Sequence, residues 1–300
     1  MEAVNTRHEW LKARRTGIGG SDAAAVAGIS PWTTPYELWL DKTGAIAIKA
    51  DDEVPEFMRW GNRLEQAIAD EYSERTGRKV RRMPELRRSK VHPFMLANID
   101  RKIEGENRLL EIKKVGEFSF RDGDWGEAGT NEVPDHYALQ VQHYMAVTGY
   151  DMADLAVLVG GNRMLVYEIP RDDEIIEDLI SLEADFWAAV EARKAPAIDY
   201  SHPSIPALMK RRYAGTDGVI IDLPGEALEW HTERDRLKAE IKALEAKSAE
   251  FDARLREAVG EHTAGRLPEG AGAYRRNEVG ESEVSYTRKA YFDFRFVKKV

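Results

Sequence analysis

Two short apolar runs flank a polar turn near the middle of the chain. The first covers residues 94–100 and the second covers residues 108–114, with a polar, glycine-bearing turn between them. Strand-like residues on both sides of such a turn predict a β-hairpin. Because successive strand side chains point to opposite faces, Glu111 and Lys113 should share one face of the second strand.

The same patterning predicts further elements along the first two hundred residues. Apolar residues at intervals of three and four indicate helices, and continuous apolar runs indicate buried strands. The predicted helices cover residues 23–27, 34–44, 56–76, 134–149 and 172–194, and the predicted strands cover 154–159 and 164–169. Such a succession favours an α/β fold, with a central mixed β-sheet flanked by helices. The helix that carries Glu65 should cross one face of that sheet.

The pattern changes after residue 196. Prolines predict a linker at 201–224 that contains a short strand, and a long charged helix follows at 225–262. Apolar residues repeat within this helix at alternating intervals of four and three, which predicts a coiled-coil seam. Packing on its own chain and pairing with another chain both remain open. The predicted organisation is a core at 1–200, this linker, the long helix and a short β tail at 263–300.

Composition narrows the possible classes of protein. The chain has 300 residues, of which 43% are hydrophobic, and it has no cysteine. Disulfides, cysteine-based zinc sites and iron–sulfur clusters are therefore excluded. No apolar run reaches membrane-spanning length and the first residues lack a signal-peptide core, so we expect a cytoplasmic protein without membrane association.

The charge of the chain argues against DNA binding by the whole surface. The formal net charge is −9, which disfavours nucleic acid on average. A DNA-binding function would depend on local basic patches, and the densest one lies at residues 78–90. That stretch predicts a strand with a charged face that can carry phosphates.

The hairpin also contains the strongest candidate chemistry. Asp100 ends the first stretch and can bring a second carboxylate to the edge occupied by Glu111. Two converging carboxylates repel each other unless a cation lies between them, and hard oxygen ligands suit Mg²⁺ or Mn²⁺. Lys113 could orient or deprotonate a metal-bound water, which is the chemistry of phosphodiester hydrolysis. A glutamate and a lysine spaced in this way are more often a solvated ion pair, so further support is needed.

Two other segments carry candidate binding residues. The glycine-rich turn after Arg15 leads into a helix for which Ser21 is a natural N-cap, and this arrangement favours an anion. An ordinary capped turn is the simpler interpretation of the same spacing. Gln140 and Tyr144 are four residues apart on a predicted helix and should share a face.

Taken in order, six segments of the chain resemble the YqaJ-type viral recombinases. These are phage exonucleases related to lambda exonuclease, within the PD-(D/E)XK nuclease superfamily. The matching segments are Arg15–Asp22, Ser30–Trp39, Trp60–Glu65, His92–Asp100, Leu110–Lys113 and Gln140–Tyr144. The resemblance covers roughly residues 7–195 and implies a restriction-endonuclease-like core.

The resemblance implies roles for individual positions. Asp100, Glu111 and the backbone carbonyl of Ile112 match the family's metal ligands. Lys113 matches the lysine that positions the attacking water, and Glu65 matches a glutamate that supports the metal directly or through water. The remaining matches are Gln140 and Tyr144 beside the catalytic centre, and Arg15 and Ser21 in a segment that lines a pocket for the 5′ phosphate of DNA. Tyr144 is also expected to bind DNA or this phosphate.

The resemblance also implies an activity and partners. It implies Mg²⁺-dependent hydrolysis of duplex DNA ends from 5′ to 3′ in phage-type recombination, with Mn²⁺ as a substitute. It suggests a toroidal homotrimer and a single-strand annealing protein as a partner. Two local departures are Lys114 and Val115 after the Glu-Ile-Lys motif, and Ile99 where a proline usually precedes the aspartate.

Three alternatives remain. The first is an endonuclease on the same scaffold. The second is a catalytically silent DNA-binding or assembly module in which residues 225–259 are the working part, although the presence of Asp100, Glu111 and Lys113 argues against silence. The third is a different metal-dependent hydrolase that uses the same carboxylate pair.

Overall fold

The computed structural model describes residues 7–47 and 56–283, together with residues 285, 294 and 297. The chain divides into two compact units, Met1–Tyr213 and Ala214–Val300. The part of the predicted β tail beyond residue 283 lies largely outside the described residues. None of the helices described is long and apolar enough to cross a membrane.

A five-stranded sheet forms the centre of the first unit. Its strands, in spatial order, are β2 (Val80–Arg82), β5 (Arg101–Ile103), β6 (Arg108–Val115), β7 (Met152–Val159) and β8 (Arg163–Pro170). β6 and β7 pair in parallel, and the other neighbours pair antiparallel. The predicted α/β class with a central mixed sheet is therefore confirmed.

The predicted hairpin is formed by different residues than the pattern indicated. Residues 101–103 pair with β6, whereas residues 95–97 form β4 of a separate small sheet between β1 (Ile18–Gly19) and β3 (Arg87–Arg88). Asp100 lies at the junction between the two sheets, where the chain changes its pairing partner. The predicted single strand at 94–100 was wrong because strand propensity does not show which neighbour each half will pair with.

Helices cover both faces of the central sheet. The helices of the first unit are α1 (Arg7–Arg14), α2 (Gly20–Val26), α3 (Pro35–Lys42), α4 (Glu56–Thr76), α5 (Glu117–Arg121), α6 (Asp135–Thr148), α7 (Asp173–Glu191) and α8 (Ile205–Arg212). On one face, Ile68 and Tyr72 of α4 pack against Leu110 and Ile112 of β6. The helix that carries Glu65 thus packs on one face of the sheet, as predicted.

The opposite face of the sheet is covered by α6 and α7. Val141 of α6 and Ile176 of α7 belong to a core that also contains Leu109 of β6 and Leu155 of β7. Neighbouring residues of β6 therefore enter two different cores, which confirms the predicted alternation. α6 lies in the connection between the parallel strands β6 and β7, and its Gln140 contacts Glu111 of β6.

Local signals set the ends of these helices. The Thr34 hydroxyl accepts a hydrogen bond of 3.1 Å from the Glu37 N–H, and Pro35 occupies the first turn of α3. Gly77 follows α4 with a φ of 70°, and Gly149 ends α6 in the left-handed conformation. These ends agree with the bounds predicted from the sequence.

The predicted linker contains a helix that the sequence pattern did not show. Ile205 and Leu208 of α8 are buried against Tyr36 and Leu40 of α3, so the first unit continues to residue 213. No strand forms at residues 219–223, where the apolar side chains are exposed. A helix of eight residues is marginal alone, and burial against α3 stabilises this one.

The second unit consists of one long helix and a small hairpin. The helix α9 spans Ala227–Val259, and β9 (Ala264–Arg266) pairs antiparallel with β10 (Ala273–Arg275). Most of the residues of the predicted seam on α9 are exposed. This unit contributes none of the predicted site residues.

Candidate active site

Glu111 and Lys113 project together from the middle of β6. The ammonium of Lys113 donates a hydrogen bond of 2.6 Å to Oε1 of Glu111, and Glu111 is 3% exposed. Burial alone would lower the pKa of Lys113, but the charges of Glu111 and Asp100 outweigh burial and raise it. In this arrangement Lys113 is a charged donor to Glu111.

Asp100 completes a pair of carboxylates at this edge of the sheet. Its Oδ2 atom accepts a hydrogen bond of 2.9 Å from the backbone N–H of Ile112. Burial is the largest cause that raises the pKa of Asp100 well above its usual value, and the negative charge of Glu111 raises it further. The two carboxylates thus disfavour each other's charge, which a bound cation would relieve.

The two oxygens of Glu111 differ in their partners. Oε1 accepts hydrogen bonds from Lys113 and from Nε2 of Gln140, the latter at 2.6 Å. Oε2 is buried and has no hydrogen-bond partner. An unpartnered buried carboxylate oxygen costs folding free energy unless a ligand satisfies it.

A divalent cation fits this arrangement. The carboxylates of Asp100 and Glu111, with the nearby carbonyl of Ile112, are hard oxygen donors of the kind that Mg²⁺ and Mn²⁺ prefer. Within the described part of the chain, no group of three or more histidine or acidic side chains forms a larger metal site. The site therefore offers two carboxylates and leaves the remaining positions of an ion to water, backbone and substrate.

Gln140 and Tyr144 of α6 lie beside this pair and are both buried. Besides its bond to Glu111, the Gln140 amide donates a hydrogen bond of 3.1 Å to the hydroxyl of Tyr144. The two residues share a helix face, as their spacing predicts. Burial, then the charges of Glu111 and Asp100, raise the pKa of Tyr144, so its hydroxyl stays neutral.

Glu65 pairs with an arginine, and its charge also helps to raise the pKa of Asp100. Its Oε1 atom accepts a hydrogen bond of 2.5 Å from Arg101, whose side chain is almost fully buried. Arg101 also donates to the backbone carbonyl of Asp100 at 2.7 Å. The structure thus connects Glu65 to the metal-site candidate through Arg101, which the sequence analysis did not identify.

The two neighbouring arginines at the end of α1 point to different places. Arg15, the predicted phosphate contact, donates to Asp41 at 2.7 Å and to the carbonyl of Ile46 at 2.8 Å. Arg14 donates to Ser21 at 2.7 Å instead. Of the two, only Arg14 lines the cavity that Asp100 also lines, and no local pattern in the sequence distinguishes the two arginines.

Arg14 and Ser21 line a cavity of about 160 Å³ that reaches the catalytic candidates. The same cavity is lined by Asp100, Gln140 and Tyr144. Ser21 is not the N-cap of α2, because the helix begins after Gly19, whose N–H donates to Asp22 at 2.9 Å. The Ser21 hydroxyl therefore remains available to the cavity.

Asp22 connects three helices behind this cavity. It accepts hydrogen bonds from Lys42 of α3 at 2.6 Å and from Arg14 of α1 at 3.0 Å. Burial would raise the pKa of Asp22, but the charges of Lys42 and Arg14 outweigh it and lower the pKa to about 2. This buried charge network was also missed by the sequence analysis.

Close backbone packing holds the glycine turn against α6. A Cβ atom added at Gly20 would lie 2.4 Å from Cε1 of Tyr144, and one at Gly17 would lie 2.5 Å from the carbonyl oxygen of Phe94. Neither position can therefore carry a side chain without movement of its neighbours. The glycines act here through their small size, which lets α2 approach the helix that carries Gln140.

A buried histidine fixes the other side of α6. His143 contacts Glu183 of α7 through Nδ1 at 2.7 Å and the Leu96 carbonyl of β4 through Nε2 at 2.8 Å. Both ring nitrogens thus face acceptors, and the pKa of His143 is raised because these contacts outweigh the effect of burial. His143 does not reach the cavity, so it positions α6 and does not take part in the chemistry.

Comparison with known proteins places this site in context. Residues 9–151 match the profile of the YqaJ-like viral recombinase domain. The chain is 38% identical over 255 residues to the uncharacterized protein YqaJ of Bacillus subtilis (strain 168), a match that covers 84% of this chain and 77% of that protein. Since Asp100, Glu111, Lys113 and Gln140 fall inside the matched region, the site and the match concern the same part of the chain.

Solved structures show more distant likenesses. One is an alkaline exonuclease (LHK-Exo) from Laribacter hongkongensis, with 20% identity, coverage of 62% of this chain and 94% of the other, and a TM-score of 0.49. Another is a phage related exonuclease from Haemophilus somnus 129PT, with 12% identity, coverage of 62% and 100%, and a TM-score of 0.40. Both are too distant to indicate a function.

Proposed function

Since the chain belongs to the YqaJ-like viral recombinase domain family, we propose that it is a metal-dependent exonuclease that hydrolyses duplex DNA from its ends. The carboxylate of Glu111 carries this proposal. One of its oxygens is held by Lys113 and Gln140, and the other is buried, unpartnered and beside a second carboxylate. Glu37 and Glu183 also have a buried oxygen without a partner, so the proposal rests on this oxygen of Glu111 together with the opposing charge of Asp100 and the contact with Lys113.

The proposed mechanism assigns a task to each residue of the site. Asp100, Glu111 and the Ile112 carbonyl would hold Mg²⁺, for which Mn²⁺ can substitute. A bound divalent ion polarises the scissile phosphate and makes a bound water a better nucleophile. Lys113 donates a hydrogen bond that orients the attacking water, and its positive charge stabilises the negative charge that builds on the phosphate oxygens.

Gln140 acts as a positioning residue in this mechanism. Its amide donates both hydrogens, one to Glu111 and one to Tyr144. Glu111 is therefore held with its free oxygen directed to the same side in every turnover. Preorganised groups of this kind avoid reorganisation during the reaction.

A terminal phosphate on the 5′ end would occupy the cavity beside the carboxylates. Arg14 provides a guanidinium and Ser21 a hydroxyl, and both line the cavity that Asp100 also lines. A guanidinium matches phosphate oxygens with two parallel hydrogen bonds. We therefore assign the phosphate contact to Arg14 and Ser21 in place of Arg15, which supports hydrolysis from 5′ to 3′.

The DNA backbone would follow the basic segment at 78–90. β2 and β3 form within this segment, where Arg81, Arg82 and Arg88 are exposed, and Leu86 lines the cavity. Exposed arginines next to a catalytic cavity can bind phosphates although the chain as a whole is acidic. The family resemblance further supports a homotrimer and a single-strand annealing protein as partners in phage-type recombination.

The test is a time course on end-labelled linear duplex with Mg²⁺, run beside a covalently closed circle. We expect the linear duplex to shorten from its 5′-labelled strand ends and the circle to stay intact. Nicking of the circle would favour the endonuclease. If neither DNA is cleaved at any Mg²⁺ or Mn²⁺ concentration, the protein is a catalytically silent DNA-binding or assembly module and the proposal is overturned.

A further inference from the structure

The long helix α9 carries an exposed apolar stripe that the proposed nuclease does not use. Leu237, Ile241, Leu244 and Phe251 are between 44% and 65% exposed. They recur at alternating intervals of four and three along a helix of 33 residues. Isolated exposed apolar residues are ordinary, but a stripe with this period is typical of a helix that pairs with another helix.

The period assigns each residue to a heptad position. Leu237, Leu244 and Phe251 occupy d, and Ile241, Ser248 and Leu255 occupy a. The flanking g positions are Glu233, Glu240, Lys247 and Arg254, and the flanking e positions include Lys238, Glu245 and Asp252. The charge at g therefore changes from acidic in the first half of the helix to basic in the second half.

These flanking charges suit a parallel pair only in part. In parallel coiled coils a g residue faces the e residue of the following heptad in the other helix. Glu233 would then face Lys238 and Lys247 would face Asp252, which are attractive contacts, but Glu240 would face Glu245 near the centre of the seam, once on each side. Like charges in contact oppose pairing, and the same contact would arise in a parallel three-stranded bundle.

An antiparallel pair brings opposite charges together instead. In this orientation g faces g and e faces e. When Ile241 of one copy lies level with Leu244 of the other, Glu240 faces Lys247, Glu233 faces Arg254 and Lys238 faces Glu245. Two-fold symmetry repeats each contact, so each of these pairings is attractive twice.

The core of the antiparallel arrangement is also compatible. Leu237 meets Ser248 of the second copy, and Trp230 meets Leu255. Arg234 meets Phe251, where a guanidinium can lie on the ring face. With its symmetric half, the seam extends over about four heptads, long enough for a sustained pattern to indicate a coiled coil.

Ion pairs within α9 do not oppose this pairing. Arg236 contacts Glu233 and Glu240, and Arg254 contacts Glu250, all on exposed surface. Exposed pairs of this kind contribute little free energy and exchange partners readily. The flanking residues can therefore turn to a second copy without a large cost.

We propose that α9 pairs antiparallel with α9 of a second copy of this chain, with Ile241 level with Leu244. The apolar stripe provides the attraction and the flanking charges fix the orientation. The proposed occupant of the stripe is thus another copy of this chain. In a homotrimer such pairs would join chains of different trimers, and the inference does not depend on the proposed nuclease activity.

Engineered cysteines in the full-length chain test the pairing, because the chain has no cysteine of its own. Leu237→Cys protein is mixed with Ser248→Cys protein that carries a larger tag, and the mixture is oxidised gently. We expect a mixed disulfide between the two proteins, which gel mobility and peptide mass identify. Disulfides that join like positions would show a parallel arrangement, and absence of any disulfide would show an unpaired helix; both outcomes overturn the proposal.

A charge reversal tests the orientation independently. Glu240→Lys on these two backgrounds sets a second lysine against Lys247, so the mixed disulfide should fall about fivefold in low salt. A parallel pair would respond with more like-position disulfide, since the new lysine would face Glu245. Lys242→Glu, on the outward side of the helix, is the matched control and should leave the yield unchanged, whereas adding Lys247→Glu to Glu240→Lys should restore it.

Discussion

At the scale of single residues, the two carboxylate oxygens of Glu111 have different surroundings. Two donors hold one of its oxygens, and the other is buried without a partner beside Asp100. The fixed oxygen determines the direction of the free one. A substitution that keeps the shape of the side chain but changes the free atom therefore isolates its role.

Glu111→Gln makes that change. Because Lys113 and Gln140 both donate, the new amide should present its oxygen to them and its NH₂ group to the cation site. We expect cleavage of linear duplex to fall by more than about a hundredfold while DNA binding without a divalent ion persists. Initial rates and fluorescence anisotropy measure the two effects.

The control is Glu104→Gln, in the turn between β5 and β6, where the side chain is exposed. It should cleave at the parental rate. Near-parental cleavage by Glu111→Gln would show that the carboxylate pair does not hold the catalytic metal.

Arg14 and Arg15 form a matched pair for the phosphate contact. Arg14→Ala should remove the preference for 5′-phosphorylated ends over 5′-hydroxyl ends, because its guanidinium lines the cavity. Arg15→Ala should keep that preference, because Arg15 is bound to Asp41 and Ile46. Cleavage rates on 5′-phosphorylated and 5′-hydroxyl ends are measured for each variant. Loss of the preference in Arg15→Ala but not in Arg14→Ala would show that Arg15 binds the phosphate.

The sequence predicted the part of the site that follows from local geometry. Alternation along a strand places Glu111 and Lys113 on one face, and four-residue spacing on a helix places Gln140 near Tyr144. Whether Arg14 or Arg15 lines the cavity beside Asp100 depends on how α1 packs. The residues that decide this packing lie far away along the chain, so the local sequence does not show it. The same reason explains why Arg101 was missed as the partner of Glu65.

At the scale of elements, α6 links the site to the rest of the core. Its Tyr144 packs against Gly20 of the glycine turn, its His143 contacts Glu183 of α7, and its Gln140 donates a hydrogen bond to Glu111. A displacement of this helix should therefore affect stability and catalysis together.

Gly20→Ala should produce such a displacement. The added methyl group would lie 2.4 Å from Tyr144 and 2.9 Å from the carbonyl oxygen of Gln140, and overpacking of this kind costs about 1–3 kcal/mol. We expect lower stability in urea and slower cleavage. Gly61→Ala, in α4 with no atom within 4 Å of the added carbon, should leave both unchanged or raise stability.

Asp22 provides a pH-dependent connection among α1, α2 and α3. Its pKa of about 2 lies below the usual 3.8, so its charge stabilises the fold above pH 3.8 by about 2 kcal/mol. That contribution is lost as the pH falls toward 2. The difference in unfolding free energy between the parent and Asp22→Asn should therefore shrink as the pH falls below 4.

Urea denaturation of both proteins at pH 7, 5 and 3 measures this difference. A difference that stays constant across the series would show that the Asp22 charge does not stabilise the fold. Lys42 has its ammonium buried against Asp22, so the variant should be least stable relative to the parent near neutral pH.

Elements with strong end signals could be predicted, and elements that depend on distant partners could not. Gly77 marks the end of α4 in the sequence as well as in the structure. α8 has no such signal, because it is stabilised by Tyr36 and Leu40, which lie far away along the chain. The separation of residues 95–97 from 101–103 likewise depends on which strands are their neighbours.

At the scale of the whole molecule, the candidate active site and the apolar stripe lie in different units. Every residue assigned to the active site lies in Met1–Tyr213, and the apolar stripe lies in Ala214–Val300. The boundary follows α8, whose buried residues belong to the first unit. The first unit therefore has its own core and its own site.

A chain that ends at residue 213 should show this division. We expect it to fold cooperatively and to retain the metal-dependent cleavage of linear duplex, because no site residue is removed. An end point at residue 200 is the informative control, since it removes α8 and exposes Tyr36 and Leu40 of α3. The thermal unfolding and the cleavage rates of the chains that end at residues 213 and 200 are measured. Equal stability of the two chains would show that α8 does not stabilise the first unit.

The flanking charges of α9 have a consequence beyond orientation. At the g positions, acidic residues precede the midpoint of the helix and basic residues follow it. If the order of these residues is reversed and the sign of each charge is changed, the same charge pattern results. Such a charge palindrome is complementary to itself and to few other sequences. Under the proposed pairing, this charge order favours association between copies of this chain and disfavours association with amphipathic helices of other proteins in the same cell.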